Sequence, residues 1–243
     1  MIDLKEKTRS SEGSPTPATG LKISVQALRE LAEWIGAGKL PELIPTHQER
    51  SLRTALALVE AGRTLLFDHS LEDLSVEMIC QHAGTTVGAF YGRFENKHAF
   101  FVTMQRIQII RAEVVQADLI RRHESGDATL ETLCEEMVTL AVRRFRENLG
   151  VLRASLQHTR EGMWEPFKAS GDRYRAALSD RLSRHLVHIP PAQRDLRIRF
   201  AYQALAGTLV HAALNNPGPL ALEDDMLITE LVRMVHEYLR AGA

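Results

Sequence analysis

Cysteine, aromatic residues and long apolar runs are all scarce in this chain, and two of these scarcities exclude a class of protein. Two of the 243 residues are cysteine, which excludes a disulfide-built secreted domain and predicts buried thiols at Cys80 and Cys134 in a reducing compartment. No secretory segment and no apolar run of about 20 residues is present, so the sequence predicts a cytoplasmic protein without a membrane span.

Alternating strand patterns are also missing, whereas helical spacing of apolar residues recurs along the chain. With 44% hydrophobic residues, a chain of this length can bury one large core or two smaller ones. The spacing predicts an all-α fold. Thr46 and Glu49 have the spacing of a capping box that starts one helix, and Asp127 is expected to cap another. The predicted helices include 24–35, 46–66, 97–124, 127–148, 150–160, 164–188, 191–215 and 223–240.

The segment 75–97 has the pattern of a helix-turn-helix. Ser75 is a good N-cap for a short first helix, and Gly84 stands where that helix would stop in a left-handed conformation. Thr86 can cap a second helix that begins with the small residues at 87–89. A recognition helix needs such a beginning, because its first residues meet base edges in the major groove of DNA.

Residues 83–97 read Ala-Gly-Thr-Thr-Val-Gly-Ala-Phe-Tyr-Gly-Arg-Phe-Glu-Asn-Lys. This run resembles the signature of the TetR family of transcriptional regulators. Three positions depart from the family pattern, since Thr85 replaces an apolar residue of the turn, and Ser70 and Cys80 stand where Gly and Ala are common. Beyond the region around this motif, the resemblance is one of helical layout and length.

The resemblance implies a three-helix DNA-binding domain with a helix-turn-helix, followed by a larger helical ligand-binding and dimerisation domain. We expect a disordered tail over 1–22, an extra helix and linker over 23–45, the DNA-binding domain over 46–96 and the effector-binding and dimerisation domain over 97–243. The extra helix is expected to pack against the DNA-binding domain. The alternative is that the tail and this helix follow DNA or brace a dimer.

Phosphate contacts are expected from Tyr91 and Lys97, because a phenol and an ammonium both donate to phosphate oxygens. Arg50, Arg53 and Arg93 can contribute to a basic face. The candidates for base-edge contact are Thr85, Thr86, Val87 and Ala89. The net charge of −1 excludes a generic polyanion binder. Affinity for DNA should therefore come from a small patch doubled by dimerisation, and it should fall steeply with salt.

The resemblance also implies a homodimer, in which the last two helices, over 191–215 and 223–240, form a four-helix bundle with a second copy. The first of these helices has two apolar faces, which need two partners. Two recognition helices about 34–36 Å apart would read a near-palindromic operator on double-stranded DNA.

A cavity for an unidentified small-molecule effector is implied among the middle helices. The candidate wall residues are Met104, Ile107, Met137, Phe145, Leu156, Trp164, Phe167 and Tyr202, with His158 and His211 as polar contacts. Each apolar candidate is more often an ordinary core residue, because an apolar helix stripe looks the same whether it faces a ligand or a neighbouring helix. A wall with few charges would suit a hydrophobic or aromatic molecule.

Catalytic, cofactor and metal patterns are missing from the sequence. There is no Gly-x-Ser-x-Gly, phosphate loop or Cys-x-x-Cys. His185 and His188 share a helix face without a third ligand, and Ser155 and His158 lack an orienting acid. We therefore expect no enzyme activity, no cofactor and no metal.

These observations predict a repressor that a small molecule releases from its operator; activation by the ligand is left open. The alternative is a helical ligand-binding or interaction protein that keeps this fold but has lost DNA binding.

Overall fold

The computed structural model describes residues 23–46, 48–124, 126–215 and 218–241, and the tail predicted over 1–22 lies outside them. Within the described residues the fold is all-α, as predicted, with a single isolated β-bridge between Leu43 and Phe94. The helices are α1 (Val25–Gly36), α2 (Glu49–Leu65), α3 (Val76–His82), α4 (Val87–Tyr91), α5 (Lys97–Arg122), α6 (Leu130–Glu147), α7 (Leu149–Gln157), α8 (Glu165–Ser183), α9 (Pro191–Asn215) and α10 (Asp225–Arg240), with a short 3-10 helix at Thr159–Glu161.

Local hydrogen bonds start the two motif helices where the sequence predicts. The Ser75 side chain accepts a hydrogen bond from the Met78 N–H at 3.1 Å, and the Thr86 side chain accepts one from the Ala89 N–H at 3.2 Å. Gly84 has a φ of +64°, the left-handed conformation that ends α3 and turns the chain towards α4.

Two other predicted caps are wrong. Gln48, not Thr46, is the N-cap residue of α2, and no side chain caps this helix. The residues before it are held elsewhere, because the Ile44 N–H donates to the Arg93 carbonyl at 2.8 Å. Thr129, rather than Asp127, caps α6 by accepting a hydrogen bond from the Thr132 N–H at 3.1 Å.

Buried side chains form two clusters. The N-terminal core consists of α1 to α4, the first half of α5, α7 and the start of α8. The C-terminal core consists of the end of α5, α6, the rest of α8, α9 and α10. Helices α5 and α8 contribute to both cores.

Three phenylalanines with tilted or edge-on ring contacts hold the recognition segment on the N-terminal core. Phe90, Phe94 and Phe100 are fully buried, and their ring centroids lie 5.0–5.3 Å apart. Helix α1 joins the same core through Leu28 and Leu31, so the extra helix packs against α2 rather than standing apart.

Helix α7 connects the two cores, because it packs on the end of α2 within the N-terminal core and also contacts α6 and α9 of the C-terminal core. A Cβ added to Gly150 would lie 2.4 Å from the backbone carbonyl of Leu66, so only glycine allows this approach. A buried amide strengthens the junction, because Gln105 Nε2 donates to Ser155 Oγ at 2.7 Å and to the Met163 carbonyl at 2.8 Å. The junction thus joins α2, α5, α7 and the segment before α8.

We predict that Gly150→Ala lowers the free energy of unfolding by about 1–3 kcal/mol, the usual cost of overpacking a filled interior. Urea unfolding followed by circular dichroism measures the change. Gly36→Ala is the control, since an added Cβ there meets no atom within 4 Å and should cost nothing. Equal stability of the Gly150→Ala variant and the wild type would show that α7 is not tightly seated on α2.

Candidate nucleic-acid interface and ligand cavity

Exposed and half-buried residues alternate at the start of α4. Thr86 and Gly88 are exposed, whereas Thr85, Val87 and Ala89 are half-buried. Because the Thr86 hydroxyl oxygen already accepts the capping hydrogen bond, its methyl group, its O–H donor and its second lone pair remain for an incoming base edge.

Tyr91 is the side chain at this surface best placed to reach a phosphate. Its side chain is 52% exposed, and its ring packs edge-on against Phe90 with centroids 5.4 Å apart. The ring is therefore held by the N-terminal core, while the hydroxyl faces solvent on the same short helix as the base-edge candidates.

Two of the basic candidates, Lys97 and Arg93, already donate hydrogen bonds to backbone carbonyls within the protein. Lys97 Nζ donates to the carbonyls of Leu71 and Glu72, at 2.8 and 3.3 Å, so its ammonium also holds the loop between α2 and α3. Arg93 donates to the Ala89 carbonyl at 3.3 Å.

The arginines of α2 adjoin the same surface. Arg93 Nε lies 3.5 Å from the Ser51 carbonyl, which places the start of α2 beside the end of α4. Arg50 is exposed, and Arg53 forms an ion pair of 2.7 Å with Glu49. The structure thus brings together the arginines and the recognition helix, with Arg53 partly neutralised by its neighbour.

A cavity of about 360 Å³ lies between α5, α6, α8 and α9. Its wall is mainly apolar and includes five of the side chains predicted for an effector site. These are Met137, Phe145, Trp164, Phe167 and Tyr202. Such a volume and wall are typical of small-molecule sites.

The other predicted wall residues lie away from this cavity. Met104 and Ile107 are fully buried in the N-terminal core. Leu156 lies near the end of α7, and His211 is exposed on α9. His158 contacts two glutamates instead, as described below.

Sequence reasoning missed the polar side chains of the cavity wall, which include Arg144, Tyr174 and Gln116. One signal for Arg144 was available, because it follows Met137 and Leu140 at helical spacing and so continues the apolar stripe of α6. Arg144 also lines a second cavity of about 460 Å³, between α2, α5 and α6, with Arg63 and Arg111.

His158 links the end of α7 to the loop before the helix-turn-helix. Its Nδ1 lies 2.9 Å from Glu161 Oε1, and its Nε2 lies 2.8 Å from Glu72 Oε1. The hydrogen bond to Glu161 is the main cause that raises the pKa of His158 above its ordinary value of 6.5, and Glu72 adds to it. The pKa of Glu72 is lowered, chiefly by a hydrogen bond to its own backbone and by Ser70, with His158 adding less.

An exposed apolar face runs along α9 and α10. Its side chains are Leu196, Phe200, Leu214, Met226, Met234 and Tyr238. The rings of Phe200 and Tyr238 lie 5.5 Å apart, and the guanidinium of Arg197 lies 5.7 Å from the Tyr238 ring. Several large exposed apolar side chains on two neighbouring helices are typical of a protein–protein contact.

In the described part of the chain, no group of three or more His, Cys, Asp or Glu side chains is arranged to hold a metal ion. No helix among the described residues is long and apolar enough to cross a membrane.

We predict that the link through His158 stabilises the fold most at low pH. A raised folded-state pKa contributes stability that is fully present below about pH 6.5, the unfolded value, and is lost as the pH rises through the folded value. Urea unfolding of the wild type and of His158→Gln at several pH values measures this, and the difference between them should shrink as the pH rises. His98→Gln on α5 is the control, and a pH-independent difference would contradict the prediction.

Two family models match the sequence. One, described as bacterial regulatory proteins of the tetR family, matches residues 58–104; the other, described as a tetracyclin repressor-like C-terminal domain, matches residues 129–239. Together they cover more than half of the chain. A search of curated protein sequences finds no match.

Solved structures with this fold include three bacterial proteins. A transcriptional regulator of the TerR/AcrR family from Aquifex aeolicus VF5 is 17% identical, with a TM-score of 0.52 over 77% of this chain and 98% of that one. GusR from Salmonella enterica is 16% identical, with a TM-score of 0.56 over 78% and 96%. The fatty acid degradation regulator FadR from Bacillus halodurans is 18% identical, with a TM-score of 0.53 over 80% and 96%.

At these identities the structural likeness shows the fold alone, and it agrees with the family models. The two models cover α3 and α4 with the start of α5, and the C-terminal helices from α6 to α10. The chain therefore belongs to the TetR family of transcriptional regulators, with a helix-turn-helix DNA-binding domain followed by a helical C-terminal domain.

Proposed function

We propose that the protein is a homodimeric repressor that binds a near-palindromic operator and is released by a small molecule in the cavity between α5, α6, α8 and α9. In this proposal residues 46–96 read DNA, and residues 97–243 hold the effector and the dimer contact. The observation that carries it is the start of α4, where a capped helix presents small side chains beside the exposed hydroxyl of Tyr91.

Contacts between neighbouring helices connect the cavity in the C-terminal core with the DNA-binding helices in the N-terminal core. A ligand between α6 and α8 would shift α6 relative to α5, and α7 follows α6 directly along the chain. Since α7 is seated on α2 through Gly150, the shift would change the angle of the DNA-binding helices. A coupling of about 1–3 kcal/mol would weaken operator binding about 5- to 150-fold.

We predict that Tyr91→Phe weakens binding to all DNA sequences alike, since it removes one phosphate donor and leaves the ring that packs on Phe90. A hydrogen bond to a charged acceptor contributes about 1.5–3 kcal/mol. Selection from random duplexes at a fixed salt concentration supplies the operator, and titrations measure affinity. Ser183→Ala at the end of α8 is the control, since it removes a hydroxyl outside both the DNA-binding domain and the α9–α10 face.

Thr86→Ser should instead alter sequence preference, because it keeps the capping hydroxyl and removes the methyl group that can pack on a thymine methyl. Unchanged DNA binding in Tyr91→Phe and Thr86→Ser would reject these contacts. Recovery of no sequence by a folded wild-type dimer would favour a protein with this fold that has lost DNA binding.

We predict that Phe200→Glu dissociates the dimer, because each copy would bury an unpaired carboxylate at the contact between the α9–α10 faces. The cost of several kcal/mol for an unpaired buried charge implies a dimer dissociation constant raised by at least about a hundredfold. Sedimentation measures the oligomeric state. Val187→Glu is the control, since Val187 is an exposed apolar residue outside this face; a dimer that survives Phe200→Glu would rule out the proposed contact.

A further inference from the structure

We propose that the cavity between α5, α6, α8 and α9 binds an apolar molecule that carries one carboxylate, which pairs with Arg144 and accepts hydrogen bonds from Tyr174 and Tyr202. This inference rests on the proposed function, and it deepens that function by naming the chemical class of the effector.

Arg144 is the main reason to expect an anion. Within the described residues its guanidinium makes no hydrogen bond or ion pair. The nearby carboxylates are already engaged, since Glu113 pairs with Arg173 and Asp172 pairs with Arg175 at 3.2 Å. Burial lowers the pKa of Arg144, yet a guanidinium stays charged in proteins. Arg144 is half-buried, and a cation that is partly withdrawn from water without a partner is costly; an anionic ligand would supply that partner.

One buried phenol, Tyr174, and one half-buried phenol, Tyr202, lie near this guanidinium and can donate hydrogen bonds. Tyr174 is only 6% exposed, and its hydroxyl has no hydrogen-bond partner among the described residues. The Tyr202 hydroxyl lies close to Gly171, because a Cβ added to Gly171 would be 3.0 Å from the hydroxyl oxygen. Burial raises the pKa of both phenols, so both remain neutral O–H donors at physiological pH.

The remainder of the wall suits an apolar body. Met137, Phe145 and Leu205 line it, and the rings of Trp164 and Phe167 lie 5.6 Å apart along one side. A sugar or nucleotide would leave many of its polar groups unpaired against this wall, whereas an inorganic anion would leave the wall unfilled. A neutral apolar ligand would displace the remaining water from Arg144 and offer no acceptor for the guanidinium hydrogen bonds that the water had made.

A carboxylate fits this set of donors better than a more highly charged group. Arg144 supplies one positive charge and a planar fork that matches the two carboxylate oxygens. The other cation at the wall, Lys168, is exposed and lies 3.6 Å from Glu165, so it is already partly neutralised. One guanidinium with two phenols therefore matches a single negative charge.

Tryptophan fluorescence can test binding without DNA. The chain has two tryptophans, and Trp34→Phe leaves only Trp164, which lines the cavity. The probes are decanoate, 4-phenylbutyrate and 4-cyclohexylbutyrate, each compared with its primary amide. We expect at least one carboxylate to bind about tenfold or more tightly than its amide. Calorimetry on the unmodified chain repeats the comparison, in case Trp34→Phe disturbs folding.

Arg144→Gln should abolish the preference for the carboxylate. Arg143→Gln is the matched control. It removes the same charge one residue away, and of the two cavities Arg143 lines only the second. The inference is overturned if the carboxylates and amides bind equally, if no carboxylate binds at millimolar concentration, or if the preference survives Arg144→Gln in a variant shown to be folded.

Operator titrations separate this inference from the proposed function. A carboxylate that binds through Arg144 but leaves operator affinity unchanged supports the anion site and rejects effector control. Equal release of the operator by a carboxylate and its amide supports effector control and rejects the anion site.

Discussion

The seating of α7 on the carboxyl end of α2 is the contact on which the arrangement of the two cores depends. Gly150 lets the α7 backbone approach Leu66 more closely than any side chain would allow, and the Gln105 amide crosses from α5 to the residues on either side of it. Because protein interiors are closely packed, α7 cannot move without displacing α2. The long helix α5 and the short helix α7 therefore act together in joining the C-terminal helices to the helix-turn-helix.

Charged side chains link α2, α5 and α6 near this junction. Glu60 of α2 lies between two arginines, Arg63 at 2.8 Å and Arg111 of α5 at 3.3 Å. Arg63 also donates to the Glu147 carbonyl at the end of α6. These bonds link α2, α5 and α6 along the second cavity, which shares Arg144 with the apolar one. An anion bound at Arg144 would therefore lie next to the second cavity, whose opposite wall is α2, the first helix of the DNA-binding domain.

Short-range interactions explain which features the sequence could predict. Ser75, Gly84 and Thr86 were predictable, because a cap or a left-handed turn depends on neighbours within three or four residues. Thr46 failed as a cap because a distant segment, at Arg93, holds the chain beside it, and the Glu49 carboxylate pairs with Arg53 instead of reaching back.

The cavity wall also depends on contacts between distant segments, which the local sequence does not predict. Met104 and Met137 lie on similar apolar stripes, and only the packing of helices far apart in the chain places Met137 at the cavity and Met104 in the N-terminal core. Each core also encloses a single thiol, Cys80 in the N-terminal core and Cys134 in the C-terminal one, and burial raises the pKa of both. Thiols shielded in this way react only when their surroundings open. The rates at which an alkylating reagent modifies the two would therefore time the opening of each core separately, within one unlabelled chain.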